Sequence, residues 1–229
     1  LPINIIFPPA IIRNTLARIL DNHGFKQLHI AESEKYAHIT YFFNGGDEDR
    51  LSSEERVIVP SKKVSNYAAV PEMSAREITR EIIKGIKSRK FDFVVANYAN
   101  VDMMGHTGDI EAASLAIEII DNQIKEVVST AIKNQAMVMI TADHGNAEQM
   151  VGIKDQDQET RHTLSPVPFI LITAHNKKNL VKSALSPTKA FVENVMENNN
   201  ALEDVAPTIL EMLEIAKPSD MTGKSLLNK

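Results

Sequence analysis

The 229-residue chain has 43% hydrophobic and 24% charged residues, an ordinary globular composition, and no apolar run reaches the roughly 18 residues of a membrane span. Its net charge is −5 and its Lys and Arg residues form no cluster, which argues against a nucleic-acid partner. Cysteine is absent, so any metal must be held by His, Asp, Glu or neutral oxygen ligands. Because the chain start also shows no secretory signal pattern, we expect a cytoplasmic protein.

Helical and strand patterns alternate along the first hundred residues. Residues 1–10 contain three prolines and are predicted to be an extended connector, because proline disfavours a helix at the residue before it. Apolar spacings and turn residues then predict a helix from 11 to 24, a strand over 27–30, a helix from 31 to about 43, a strand over 56–59, a helix from 74 and a strand over 91–96. The helix from 74 is predicted to begin with a capping box formed by Ser74 and Glu77.

The alternation continues in the second half. Asp109 is predicted to cap a long helix beginning at residue 110, and the later elements are a strand over 136–140, a polar loop over 152–161, a strand over 167–173 and a helix over 202–213. Spacings of three and four along the long helix predict one core-facing stripe of Ile110, Ala113, Ile117, Ile120, Ile124 and Val127. The whole pattern predicts an α/β protein with a mostly parallel sheet and helices on both faces.

The predicted strand over 136–140 leads into a stretch with candidate metal ligands, Thr141 to Asn146. Asp143 and His144 stand side by side there. In parallel α/β sheets, ligands bind just beyond the carboxyl ends of the strands. The pair therefore offers one oxygen and one nitrogen ligand to a divalent metal, although an Asp-His pair on its own is more often part of a plain loop.

A second stretch, residues 97–109, follows the predicted strand over 91–96. Asp102 and His106 are four residues apart, so one helical turn would bring both to the same face. One carboxylate and one imidazole make half of a tetrahedral or five-coordinate metal site. The alternative is that Asp102 caps a turn and His106 lies on the surface.

The third element is His162, which precedes the strand over 167–173. A single His in such a place is usually a surface residue, but three strand-end segments now offer five ligands: Asp102, His106, Asp143, His144 and His162. Such a set suits one or two divalent ions, manganese or zinc before calcium. Two ions about 4 Å apart are a common device for phosphoryl transfer.

Several motifs together resemble the cofactor-independent (2,3-bisphosphoglycerate-independent) phosphoglycerate mutases. They are Glu32–His38, Asn97–Gly108, Thr141–Glu148, His162 followed by Pro166–Phe169, and two tail segments over 204–208 and 221–226. The Asp-His-Gly element alone belongs to the wider alkaline phosphatase superfamily. The resemblance therefore implies an alkaline phosphatase-like α/β fold.

The resemblance implies an isomerase of glycolysis and gluconeogenesis that interconverts 3-phosphoglycerate and 2-phosphoglycerate through a phosphoserine enzyme. It implies one manganese ion at Asp102, His106 and His162, and a second held partly by Asp143 and His144; zinc or another divalent metal also suits these ligands. Lys35 matches a catalytic lysine of the family that lies close to the transferred phosphoryl group, where a fixed cation stabilises developing negative charge. Without the resemblance, Lys35 is an ordinary exposed lysine. The full-length protein is expected to be a monomer.

The chain also departs from the family pattern. In the family, the phosphorylated serine and an aspartate that completes the second metal site come from a segment N-terminal to this region, and a substrate-binding domain is inserted between the two parts. We therefore expect residues 1–10 to be a linker remnant of that domain, and residues 11–229 to be the C-terminal part of the phosphatase-like domain, incomplete without its N-terminal segment. The chain alone is expected to be inactive.

Two alternatives to the mutase remain open. One is a related metal-dependent phosphohydrolase or phosphopentomutase built on the same Asp-His-Gly core. The other is a non-catalytic metal-binding module that keeps some of the ligands.

Overall fold

The structure, a computed structural model, describes residues 12–152, 158–173 and 200–227. Its helices are α1 (Leu16–Asn22), α2 (Ala75–Ser88), α3 (Asn100–Thr107), α4 (Ile110–Lys133) and α5 (Val205–Met212). Its strands are β1 (Gln27–Glu32), β2 (Glu54–Val59), β3 (Phe93–Ala96), β4 (Val138–Thr141) and β5 (Phe169–Ile172). The predicted connector over 1–10 lies outside the described residues. Across the described ranges, no helix combines the length and apolar character needed to cross a bilayer.

The larger sheet is parallel, as predicted, with strand order β2-β1-β3. β4 and β5 form a separate two-stranded sheet, and their pairing is antiparallel. A parallel partner needs a crossover connection, usually a helix, that returns the chain to the same end of the sheet. The described part of the connection between β4 and β5 contains no helix, so the chain doubles back alongside β4 instead.

Helices cover both faces of the parallel sheet, which confirms the predicted layering. On one face, Leu28 and Ile30 of β1 pack with Ile78 and Ile82 of α2. On the other face, Phe93 packs with residues of α1 and α5, including Leu20 and Leu210. Burial of these apolar side chains is the main stabilising contribution to such a layered fold.

The helix predicted over residues 31–43 is wrong. β1 continues to Glu32, which pairs with Val59, and all six β1 residues are buried. Two short 3-10 turns, Ser33–Lys35 and Ala37–Ile39, take the place of the helix. The buried ring of His29 contacts the Ile39 carbonyl oxygen through Nδ1 at 2.7 Å. This tertiary contact and the sheet pairing override the local helical pattern.

The capping box predicted at the start of α2 is also wrong. Ser74 occupies the cap position, but its hydroxyl donates a hydrogen bond to the Pro60 carbonyl oxygen at 2.9 Å. A distant backbone acceptor thus takes the side chain away from the helix. The cap predicted for α4 is confirmed, since Asp109 Oδ1 accepts a hydrogen bond from the Ala112 amide at 2.9 Å.

The predicted core stripe of α4 is correct only in part. The buried positions of the helix are Ala112, Ala113, Ala116, Ile120, Gln123 and Ala131. Ile110 and Ile117 are 53% and 51% exposed. The alanines let α4 pack against α3 in a cluster that includes Met73 and Met104. Small side chains therefore form most of the buried face, whereas some of the isoleucines in the predicted stripe lie on the exposed face of the helix.

Candidate metal centre

Helix α3 presents Asp102 and His106 on the same face, as their spacing predicts. The distance from His106 Nε2 to Asp102 Oδ1 is 3.2 Å. Asp102 lies in the first turn and His106 in the last turn of this helix. The helix begins just beyond the carboxyl end of β3, where a parallel sheet collects its ligands.

His162 reaches the same point from a different part of the chain. Its Nε2 lies 3.2 Å from Asp102 Oδ1 and 3.0 Å from His106 Nε2. The segment that carries it is held by the next residue, because the Thr163 amide donates a hydrogen bond to the Gly145 carbonyl oxygen at 2.8 Å. Three donor atoms from segments far apart in sequence therefore converge.

The spacing of these three donor atoms fits a divalent metal ion. Oxygen and imidazole ligands bind zinc at about 2.0–2.2 Å, so neighbouring donors around one ion lie roughly 3.0–3.5 Å apart. The measured separations of 3.0, 3.2 and 3.2 Å fall in this range. Within the described ranges, Asp102, His106 and His162 are the group whose geometry suits a metal. Three protein ligands leave further coordination positions open, as catalytic sites require.

A second contact orients the ring of His106. Its Nδ1 lies 2.8 Å from the Thr160 carbonyl oxygen. A carbonyl oxygen can only accept, so Nδ1 is the donor in this contact and Nε2 is the nitrogen available to a metal ion. This arrangement suits a metal ligand, and such outer contacts are typical of metal-binding histidines.

Lys35 is not the exposed residue that its sequence context alone would indicate. It is 6% exposed, and its ammonium group forms an ion pair with Asp102 Oδ2. Burial raises the pKa of the Asp102 carboxyl, but hydrogen bonds from Lys35 and Asn146 outweigh that effect and lower its pKa to about 2. Asp102 is therefore a carboxylate at neutral pH, with Oδ2 facing Lys35 and Oδ1 facing the two imidazoles.

Asp143 and His144 lie beside this group, just after β4. His144 Nε2 is 3.6 Å from Asp143 Oδ2 and 3.9 Å from Asp102 Oδ1. The His144 ring stacks on His162 with ring centroids 3.6 Å apart. The Asp143 side chain is 55% exposed. All five predicted ligands thus surround one region, with Asp143 and His144 next to the convergent three.

Two residues near the site carry no predicted role. Asn146 donates from Nδ2 to Asp102 Oδ1 at 2.9 Å. His38 is close enough for electrostatic interaction with Lys35, Asp143 and Asp102; burial lowers its pKa, Lys35 lowers it further, and the two carboxylates oppose the shift. The position of His38, three residues after Lys35, could have indicated that it lies near the site. The contact of Asn146 with Asp102 depends on tertiary packing and could not.

Comparisons with known proteins place the chain among metalloenzymes. The profile of the Metalloenzyme superfamily matches residues 3–217. The 2,3-bisphosphoglycerate-independent phosphoglycerate mutase 2 of Methanosarcina barkeri is 47% identical over 229 residues, which cover all of this chain and 40% of that protein. The mutase of Ehrlichia canis is 45% identical over 224 residues, 98% of this chain and 41% of that protein.

A solved structure supports the fold. Leishmania mexicana phosphoglycerate mutase, crystallised at low cobalt concentration, matches with a TM-score of 0.76 and 26% identity, over 90% of this chain and 38% of that one. The chain thus spans about 40% of the length of the curated relatives named above. Because the superfamily profile covers nearly all of its residues, the chain belongs to the Metalloenzyme superfamily.

Proposed function

We propose that this chain is the C-terminal, metal-binding part of a 2,3-bisphosphoglycerate-independent phosphoglycerate mutase, an isomerase that interconverts 3-phosphoglycerate and 2-phosphoglycerate. The observation that carries the proposal is the convergence of Asp102, His106 and His162 at 3.0–3.2 Å beside a buried lysine. The Methanosarcina barkeri mutase, similar over the whole chain, supports the choice of reaction. The whole protein would then act in glycolysis and gluconeogenesis, as a cytoplasmic monomer.

Each site residue has a proposed role. Asp102, His106 and His162 would hold one divalent ion, and Asp143 and His144 would contribute to a second, with manganese as the proposed metal. The Leishmania mexicana mutase was crystallised with cobalt, which supports a divalent metal that binds nitrogen and oxygen ligands. When bound, such ions neutralise phosphoryl oxygens and activate the attacking oxygen.

Lys35 is proposed as the catalytic cation of this chain. Its ammonium group is held against Asp102 in a largely water-excluded position. A fixed positive charge there would stabilise negative charge developing on the transferred phosphoryl group, and low local solvation strengthens the effect. The same ammonium group donates a hydrogen bond to Asp102 Oδ2.

We also propose that the domain is completed by a segment outside this chain, which supplies the nucleophilic serine and the remaining ligand of the second metal. In the described residues, β3 pairs only with β1, and β4 pairs only with β5. All four residues of β3 are apolar yet only half buried, whereas apolar strands of parallel sheets are normally covered on both faces. Residues 11–229 would be the C-terminal part of the phosphatase-like domain, and residues 1–10 a linker from the substrate-binding domain.

The test of the proposed reaction is an assay of the full-length protein with 3-phosphoglycerate and Mn²⁺, without 2,3-bisphosphoglycerate. We expect formation of 2-phosphoglycerate, strongly reduced in His162→Ala and Lys35→Met variants. Asp121→Ala, on the exposed face of α4, is the matched control and should keep full activity. Release of inorganic phosphate in place of 2-phosphoglycerate would instead identify a phosphohydrolase.

A further inference from the structure

We propose that Asn146 is a positioning residue that fixes the Asp102 carboxylate in the rotation needed for metal binding. The inference rests on the proposed metal site and adds to it a residue that is not itself a ligand. Asn146 is 4% exposed and follows β4, in the same loop as Asp143 and His144. It therefore lies where the loop after β4 meets α3 and the proposed metal ligands.

The contacts of Asn146 are directed at Asp102. Its Nδ2 lies 2.9 Å from Asp102 Oδ1 and 3.3 Å from the Asp102 backbone oxygen. Both acceptors lack protons, so the amide nitrogen rather than the amide oxygen must face them. Asp102 Oδ2 meanwhile accepts from Lys35. One donor on each oxygen leaves the carboxylate a single rotation, with Oδ1 also turned toward both imidazoles.

Asn146 is itself held in place from two sides, through its backbone and through its side chain. Its backbone amide donates to Glu148 Oε2 at 2.7 Å, and the other oxygen of Glu148 accepts from the Thr163 hydroxyl, next to His162. On the α3 side, Asn146 lies directly against Gly105, where an added Cβ would clash with its amide group. The loop after β4 is thus tied both to the helix of Asp102 and to the segment of His162.

The buried amide oxygen shows that this placement has a cost. Among the described residues, Asn146 Oδ1 has no hydrogen-bond partner and is buried. An unsatisfied buried polar atom destabilises a fold, so a residue chosen for stability alone would be expected to satisfy both ends of its amide. The hydrogen bonds from Asn146 Nδ2 to Asp102, a proposed metal ligand, explain why an asparagine occupies this position.

Asn44 provides an unusually close control. It is 2% exposed, its Nδ2 donates to Glu54 Oε2 at 3.2 Å, and its Oδ1 is likewise buried without a partner in the described part of the chain. The acceptor, Glu54, begins β2 and so lies at the opposite end of the sheet from the metal centre. Asn44→Ala therefore removes the same kind of buried amide–carboxylate bond without touching the site.

The experiment measures Mn²⁺ affinity by electron paramagnetic resonance and the visible spectrum of bound Co²⁺ in four proteins: the unchanged chain, Asn146→Ala, Asn146→Ser and Asn44→Ala. Circular dichroism identifies any variant that fails to fold, and the serine variant keeps a small polar side chain that is too short to reach Asp102. We expect both Asn146 variants to bind Mn²⁺ about 10- to 100-fold more weakly, the usual loss for an outer-shell metal contact. The Co²⁺ spectrum should change in these variants, and Asn44→Ala should match the unchanged chain in both measurements.

The outcomes separate the two proposals. Unchanged affinity and spectrum in a folded Asn146 variant would overturn the positioning role and leave the metal site intact. An equal loss in Asn44→Ala would also overturn it, because the effect would then be general destabilisation. Failure of the unchanged chain to bind either metal would refute the proposed metal site and this inference with it.

Discussion

The ion pair between Lys35 and Asp102 offers a quantitative test of how the site is built. The Lys35 and Asp102 side chains are only 7% and 14% exposed, and Asp102 is further bonded to Asn146. Removing one member of a buried pair leaves an uncompensated charge, at a cost of roughly 3–5 kcal/mol. For a protein of this size each kcal/mol lowers the melting temperature by about 2–4 °C. Lys35→Met should therefore lower it by about 6–20 °C in the absence of metal.

The assay is thermal unfolding followed by circular dichroism in a chelating buffer. The control is Lys90→Met, because Lys90 pairs with Glu55 in the same lysine–carboxylate geometry with side chains that are 52% and 47% exposed. That exposed pair contributes only about 0–1 kcal/mol, so its loss should shift the melting temperature little. The double variant Lys35→Met/Asp102→Leu removes both charges and should recover much of the loss. Equal small shifts for Lys35→Met and Lys90→Met would show that the buried pair stabilises the fold no more than the exposed one.

Burial lowers the pKa of His29 in the folded state, so the stability of the fold should fall as the pH drops below about 6.5, the pKa of histidine in the unfolded chain. The melting temperatures at about pH 7.5 and about pH 5.5 should therefore differ less in His29→Gln than in the unchanged chain. An equal difference in both proteins would contradict this. Gly105→Ala should displace Asn146 and weaken Mn²⁺ binding, whereas Gly24→Ala, which has open space for a Cβ but also a positive φ, should reduce stability without changing the metal affinity. The chain alone should show no mutase turnover, and robust conversion by protein free of host enzyme would refute the need for a second segment.

Local patterns predicted those parts of the fold in which sequence spacing alone determines geometry. Asp102 and His106 share a face because α-helical spacing requires it once α3 forms. Strands β2 and β3 of the parallel sheet were predicted from short, mostly apolar runs. Asp109 caps α4 through a contact only three residues away.

Features that depend on distant partners were missed. The helix predicted from residue 31 gave way to strand pairing of Glu32 and a buried contact to His29, neither of which is visible locally. The Ser74 hydroxyl donates its hydrogen bond to the Pro60 carbonyl oxygen and does not cap its own helix. The buried face of α4 was set by close packing of alanines, a property of the facing helix as much as of α4.

In the site, too, local sequence predicted some features, whereas others depend on contacts between distant residues. Motif resemblance selected Lys35, but its burial against Asp102 is a result of tertiary packing. Asn146 lies within a recognised motif, yet its bond to Asp102 joins residues 44 positions apart and could not be inferred from spacing. Predicting such outer contacts requires knowing how the loop after β4 packs against α3, which sequence periodicity does not show.

An equilibrium titration with Mn²⁺, followed by electron paramagnetic resonance, shows directly whether Asp102 belongs to a metal site. The unchanged chain is titrated beside Asp102→Ala and the control Asp121→Ala. We expect about one tightly bound ion per chain, the number that one group of three converging ligands supports. That binding should be lost in Asp102→Ala and kept in Asp121→Ala. Absence of binding at millimolar Mn²⁺, or tight binding that survives in Asp102→Ala, would contradict the grouping of Asp102, His106 and His162 into a metal centre.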